Sequence, residues 1–505
     1  MHLKSITLHN FRCFGDLTLD LHPRLTVLVA ENAGGKTSIL DALAIGLAPL
    51  LRAFSSAAQR IGGEDDPLPH FKDTDFRLVS PPKGKGSVSW IPAREASISI
   101  TTADALSWTV ARNSTDPSQG HQDDIAVPPS LAALAATKDQ LIREGRAPLV
   151  PVVAYYGANR GTFEIPERIR ETRIAYDFPT AAFVGALNPQ TDFKEILKWF
   201  DAAEAAELRA FRDFGQSGDP EGSPEPNPAL DCVRGTLSIL LGNKYSKPRL
   251  NERRKLVVDS NPDSLRQGPD QDDLFPRSPV LLVSQLSQGY QSMLALGMDF
   301  ARRMATANPG FDRFEQLPNR RVTYHPAIRS FMGQYPPSNI NDNVGESCWA
   351  PAIMLIDEID LHLHPSWQQR VLPDLMRAFP ATQFIVTTHS PQVITTVKRE
   401  NIRMLGTSPS GSWEARMPDR NPYAHANSVA LETVMGGQAY PPSETLDQLR
   451  EYQRLVGSDQ HDSPRAIELR KILEGEWGQS DPELALMDIT IRKNETFRKL
   501  RSQKP

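Results

Sequence analysis

The stretch Ala30-Glu31-Asn32-Ala33-Gly34-Gly35-Lys36-Thr37, AENAGGKT, decides how the rest of the chain is read. It ends in Gly-Lys-Thr, as a phosphate-binding loop does, but alanine stands at the position of the expected first glycine. LTVLVA before it, residues 25–30, is a short apolar run suited to a buried strand, and SILDALAIGLAPLL after it has helical spacing. Strand, glycine loop, helix is the order that lets backbone N–H groups converge on phosphate at a helix N-terminus. In that geometry Lys36 would reach the β and γ phosphates and Thr37 would place its hydroxyl on Mg²⁺. Alanine at 30 costs little if its position does not need positive φ, since its methyl can point away from the ligand. A glycine turn before a helix is also common on its own, so the decision falls to the other segments.

The chain has 505 residues and 39% hydrophobic content, too long for one ordinary core, so two or three domains or lobes are expected. A formal net charge of −5 does not announce a basic nucleic-acid binder, although a local basic face can hide in the average. Three cysteines with no CxxC pair speak against a disulfide framework or zinc ribbon and fit a reducing compartment. The N-terminus shows no signal pattern, and no run reads as the roughly 18–20 apolar residues that span a bilayer. A cytoplasmic protein without a membrane anchor is expected.

Residues 3–30 alternate as strands, 61–95 read as loop, and a hairpin turns near Ala103-Asp104. PSLAALAATKDQLIREG is a helix and PLVPVVAYYGANR a buried strand. From 161 to 278 the pattern becomes an insertion carrying helices, with DFKEILKWFDAAEAAELRAFRDF strongly amphipathic. Order returns at SPVLLVSQLSQGYQSMLALGMDFARRM, a strand edge and a long helix. PAIMLIDEIDLHLHP and ATQFIVTTHSPQVI are buried strands with turns, separated by a helix expected to bend at Pro373. After about 410 the pattern is helical, with start signals at Pro441-Pro442, Ser463-Pro464 and Ser480-Asp481-Pro482. The expected organisation is therefore 1–160, 161–278, 279–410 and a helical 411–505.

Three further segments carry chemistry. Asp357-Glu358 end an apolar run, and adjacent carboxylates there are costly without a compensating cation. Asp357 could hold Mg²⁺, and Glu358 could orient and deprotonate an attacking water. Ser287-Gln288-Gly289 opens a helix, with Ser287 as a natural cap for an anion-binding N-terminus. His389 ends a strand some thirty residues after Glu358, where an imidazole could sense a γ-phosphate. Each segment alone also has a plain structural reading; their order is what distinguishes them.

AENAGGKT, LSQGYQ, IMLIDEIDLHLHP and VTTHSP resemble the Walker A loop, signature motif, Walker B strand with D-loop, and switch histidine of ATP-binding-cassette (ABC) ATPases. The opening LHNFRCFGDLTLDL is similar to the RecF, SMC and Rad50 branch. The resemblance implies an α/β fold, an ABC-type P-loop ATPase head of RecF/SMC-like form, with a helical insertion and a C-terminal helical region. It implies that Asn32, Ala33, Gly34, Gly35, Lys36, Thr37 and Ser38 wrap the phosphates of ATP, with Arg12 near the nucleotide. The resemblance further implies that Thr37 and Asp357 serve Mg²⁺, that Glu358 is the catalytic base and that His389 completes the switch. Ser287, Gly289 and Gln291 form a signature that acts on ATP held by another copy, and Asp360 belongs to the loop crossing that seam. A homodimer or higher homo-oligomer follows. The glutamine loop has no clear counterpart; Asn159 and Arg160 of YYGANR occupy its place.

The chain lacks the heptads of long-armed SMC and Rad50 proteins, a Toprim carboxylate set and an HNH-type histidine motif. HLHP, with His362 and His364, reads as a turn after the D-loop rather than a metal site. PLVPVVAYYGANR, DFKEILKWFDAAEAAE and the tail ANSVALETVMGG through SDPELALMDITIRK resemble the PtuA-like ATPases of Septu-type and retron-associated antiphage defence. That resemblance implies a regulatory ATPase acting with a separate HNH nuclease subunit, PtuB-like. The alternatives are a RecF-like repair ATPase that clamps duplex DNA and a sensor with slow hydrolysis. The run Arg249-Leu250-Asn251-Glu252-Arg253-Arg254-Lys255 is the best feature for nucleic acid, though a solvated charged face is the plainer reading.

Overall fold

In the computed structural model the described residues are 1–54, 68–80, 90–114, 126–144, 149–158, 179–189, 193–217, 227–260, 280–311, 314–317, 321–324, 328–329, 332, 345–438 and 443–502. Asn159, Arg160 and the Pro441-Pro442 start signal lie outside them. The chain divides into two compact units, Met1–Met435 and Gly436–Pro505.

The first unit is organised around a six-stranded sheet in the order Trp413–Arg416, Ile402–Thr407, Leu25–Val29, Thr382–Thr387, Ala352–Ile356, Val152–Tyr156. All neighbours pair in parallel except the edge strand Trp413–Arg416. The middle strands Leu25–Val29, Thr382–Thr387 and Ala352–Ile356, together with Val152–Tyr156, are buried at every residue, which is why they read as largely apolar segments without polar alternation. Val29, Ile356 and Thr387 end neighbouring parallel strands, so the loops that follow them emerge at one edge of the sheet. That edge is where open α/β sheets build sites.

A second, antiparallel sheet has the order Phe14–Asp20, Leu3–Phe11, Glu95–Thr102, Ser107–Asn113. Its alternating pattern reflects one buried face. The expected turn near Ala103-Asp104 is the hairpin of its last two strands. The helix Lys36–Phe54 packs against this sheet, with Trp108 Nε1 donating to the Gly46 carbonyl at 2.7 Å. This helix is the exception to the expectation of no membrane-length apolar segment: it passes by length and composition, but most of it is buried as core.

Among its described residues the insertion holds the helices Phe193–Ser217 and Pro228–Leu241 and also the strands Tyr245–Leu250 and Leu256–Ser260, which helical periodicity did not suggest and which form a three-stranded sheet with Val280–Leu282 just beyond the insertion. The helix expected to bend at Pro373 is two, Pro365–Gln368 and Val371–Ala378; Pro373 falls in the first turn of the second, where its missing N–H costs nothing. The region after 410 is not wholly helical, because Trp413–Arg416 completes the central sheet.

The second unit is three helices, Glu444–Gly457, Pro464–Trp477 and Pro482–Ser502, around Leu446, Leu449, Tyr452, Val456, Leu469, Leu473 and Leu484. Ser463 caps the second helix by accepting from Ala466 N. Asp481 Oδ1 accepts from Glu483 N and Leu484 N at the third.

Candidate nucleotide site

The loop at the end of Leu25–Val29 is tight. Gly34 N donates to the Glu31 carbonyl at 3.0 Å and Ile39 N to the Gly35 carbonyl at 3.1 Å, the latter opening the helix. A Cβ on Gly34 would meet the Ala30 methyl at 2.6 Å, so the alanine at 30 is accommodated because residue 34 has no side chain. Gly35 has φ +80°, and a Cβ there would approach Phe14 Cζ to 2.4 Å. Ala33 carries φ +63°, a left-handed conformation that favours glycine and costs an alanine roughly 1–2 kcal/mol. Gly35→Ala should therefore abolish nucleotide binding in equilibrium titration with a fluorescent ATP analogue while Ala33→Gly retains it. Wild-type affinity in Gly35→Ala would show that the loop geometry is not what binds.

A cleft of about 350 Å³ opens above this loop. It is lined by Arg12, Cys13, Asn32, Ala33, Gly34, Gly35, Lys36, Thr37, Ser38, Asp357, Glu358 and His389. Segments more than 300 residues apart thus meet there, as the sheet order requires. Lys36 is buried and its Nζ donates to the Ala30 and Glu31 carbonyls at 2.9 and 3.1 Å. Burial lowers its pKa, against the pull of Asp357, Glu358 and Asp360. An anion at the loop would compensate that buried charge.

Thr37 Oγ1 donates to Asp357 Oδ2 at 2.8 Å, and Thr387 Oγ1 donates to Asp357 Oδ1 at 2.6 Å. Thr387 Oγ1 also accepts from Glu358 N at 2.7 Å, which holds Glu358 at φ +47°. Such a conformation in a non-glycine residue persists only where the surroundings enforce it. Asp360 lies outside the cleft; its Oδ1 accepts from Thr388 Oγ1 at 2.5 Å and His389 N at 3.3 Å. Thr387 and Thr388 escaped the sequence reading, although they are the two residues immediately before His389.

Arg12 borders the cleft but is also a brace. Its Nη1 donates to Asp41 Oδ2 at 2.6 Å and its Nε to Asp75 Oδ1 at 2.9 Å, while Tyr155 Oη donates to Asp41 Oδ1 at 2.9 Å. Burial opposes the charge on Arg12, and the two carboxylates outweigh it and raise its pKa.

Ser287, Gly289 and Gln291 do not line the cleft of their own chain. They begin the helix Gln288–Ala307, which packs on the turn after Asp360: a Cβ on Gly289 would meet the His362 carbonyl oxygen at 2.7 Å. Ser287 occupies the N-cap position, but its side chain makes no capping hydrogen bond, contrary to expectation. Gln291 Nε2 instead donates to the Leu286 carbonyl at 2.7 Å. His364 caps Pro365–Gln368 through Ser366 N, giving it a helix-start role.

Two family models match in tandem, an AAA domain over residues 5–178 and the AAA domain described as putative AbiEii toxin, Type IV TA system, over residues 283–395. Over 98% of its length the chain is 27% identical to the retron Ec83 probable ATPase of Escherichia coli, covering 87% of that protein. It is also 26% identical to the Septu protein PtuA of Bacillus thuringiensis over 28% of this chain and 35% of that one.

The chain is thus similar over nearly its whole length to a retron probable ATPase and over part of it to a Septu protein PtuA.

The crystal structure of an SMC head bound to the C-winged helix domain of ScpA matches 82% of this chain and 98% of its own, at 15% identity and a TM-score of 0.36. The fold of this chain rests on its own strand order and on the loop that follows Val29.

Proposed function

We propose that this chain is a PtuA-like ATPase of the RecF/SMC class, that it is the regulatory subunit of an antiphage defence system, that two copies join through shared ATP, and that hydrolysis controls a separate HNH-type nuclease subunit. The observation that carries this reading is a divided site. The cleft gathers Lys36, Thr37, Asp357, Glu358 and His389, while Ser287, Gly289 and Gln291 sit apart on the turn after Asp360. A half-site of this kind is completed by the signature of a second copy. The names of the relatives, a retron probable ATPase and a Septu protein PtuA, support the defence setting.

In this reading the amides of 32–38 and Lys36 bind the triphosphate. The Thr37 hydroxyl and Asp357 carboxylate, 2.8 Å apart, are the hard oxygen donors that suit Mg²⁺. Bound there, Mg²⁺ would offset charge on the β and γ oxygens. Glu358 takes the proton of the attacking water, and Thr387 holds Asp357 and the Glu358 backbone in register. His389, at the end of its strand, faces the γ-phosphate. ATP then acts as an adhesive, and its loss loosens the pair.

Mixing two inactive variants tests the division. Lys36→Ala removes one half of each site and Ser287→Arg the other. Each alone should be inactive, and an equimolar mixture should regain turnover, because a mixed pair contains one intact composite site. A mixture as inactive as its components would place the whole reaction within one chain and end the shared-site reading. Co-expression with a PtuB-like HNH protein, followed by co-purification, tests the nuclease partner; no co-purification would remove it.

A further inference from the structure

We propose that the hairpin Tyr245–Ser260 is a nucleic-acid-binding element that grips phosphate backbone and is coupled to the signature helix. Residues 244–259 carry Lys244, Lys247, Arg249, Arg253, Arg254 and Lys255 against only Glu252 and Asp259, in a chain whose net charge is −5. Arg249 pairs with Asp259 at 2.8 Å and Arg254 with Asp201 at 3.6 Å. Lys247, Arg253 and Lys255 have no carboxylate partner among the described residues, and the first two are exposed. The local field therefore attracts a polyanion that the rest of the chain would repel.

The backbone that carries the cations is held in place. Asn251 Oδ1 accepts from both Arg253 N and Lys255 N at 3.0 Å, which closes the turn. Lys247 has φ +50° beside the register shift between Val257 and Asp259, and Arg254 has φ +54° in the turn. Glycine or asparagine would hold these left-handed positions at lower cost. Long basic side chains stand there instead, so the strain is met by something other than the turn itself. A preordered turn loses less backbone entropy when its cations meet phosphates.

The hairpin is joined to the ATP machinery. Val280–Leu282 pairs with its second strand and leads through Val283–Gln285 directly to Ser287. At the base of the hairpin the Tyr245 ring lies 5.2 Å from that of Tyr290 in the signature helix. Tyr290 in turn contacts Trp367 at 3.9 Å, in the helix after the D-loop. Phosphate seated on the hairpin thus bears on both elements that the divided site needs. The binding half of this inference is independent of the shared-site reading; the coupling half rests on it.

The test uses the full chain and a fluorescein-labelled mixed-sequence oligonucleotide, single-stranded and duplex, read by anisotropy without nucleotide. Lys247→Glu/Arg253→Glu/Lys255→Glu should weaken binding at least about tenfold and lower the log–log salt slope by roughly 2–3. Its basal ATP turnover should be unchanged, since none of the three lines the cleft. Tyr245→Leu should keep the affinity but lose the change in turnover that oligonucleotide causes. The comparison of strand forms shows which the hairpin prefers. Wild-type affinity and salt slope in the triple variant, or no binding by the wild type, would overturn the site. A coupled response that survives Tyr245→Leu would overturn the relay. A failed mixing experiment beside successful anisotropy would remove the shared site and leave the hairpin.

Discussion

Glu358→Gln should bind ATP with wild-type affinity, turn it over at least about 100-fold more slowly, and accumulate as an ATP-bound dimer. Glutamine keeps the size and hydrogen-bonding capacity of the side chain but cannot take a proton from water. The backbone at 358 has φ +47° and is held by Thr387 Oγ1 through the amide, not through the carboxylate. The substitution therefore removes the proposed base while leaving its backbone setting. Lys36 keeps its two carbonyl contacts and Thr37 keeps Asp357, so the binding half of the site is untouched. Single-turnover hydrolysis and light scattering with and without ATP read the two parts separately. Wild-type turnover in Glu358→Gln would assign proton transfer to another group. A variant that neither binds nor dimerises would show that Glu358 supports the loop rather than the reaction.

Asp299→Asn should destabilise the first unit by about 3–5 kcal/mol. Asp299 is buried, and its two oxygens accept from Arg302 Nη2 and Arg303 Nε, each at 2.6 Å. Tyr156 Oη also donates to it at 2.9 Å, and Tyr156 O accepts from Asp357 N at 2.8 Å. The helix Gln288–Ala307 is thus tied to the strand Val152–Tyr156, beside the one that leads to Asp357, through one tyrosine. Neutralising Asp299 leaves two buried guanidinium groups without their counter-charge, which costs more than the ion pair itself contributes. Urea unfolding followed by tryptophan fluorescence measures the loss, and an unchanged midpoint would show that the arginines find other partners.

The same carboxylate gives a pH dependence. Burial pushes its pKa up, but Arg303 and Arg302 outweigh that and hold it at about 2, below the ordinary 3.8. A depressed folded pKa means that the unfolded chain takes up protons first. The stabilisation, about 2 kcal/mol, is complete above the unfolded value and is lost as pH falls from about 4 through 2. Between those limits Asp299→Asn should lose its pH sensitivity relative to the wild type.

Much of this was legible along the chain. AENAGGKT lies between a buried strand and a helix, and each of these announces itself within a few residues through apolar runs and glycine. Asp357-Glu358 and His389 follow apolar strands in the same way. Such signals survive because loop, strand end and helix start are local structures. Elsewhere a competing local pattern hid the element. Tyr245–Leu250 is short, basic and interrupted by Pro248, so it shows no alternation. Ile402–Thr407 and Trp413–Arg416 precede a long helical tail whose period dominates the region.

By itself, then, the sequence determined which segments could bind phosphate, ligate a hard cation and activate water, because those capacities belong to residue types at short spacing. Only the tertiary structure decided that Thr387 would serve both Asp357 and Glu358, that Arg12 would be braced by Asp41 and Asp75, and that Tyr156 would link Asp299 to Asp357. It also decided that Ser287 would lie outside its own chain's cleft. These pairings span tens to hundreds of residues and depend on strand order and register, which no short window of sequence contains.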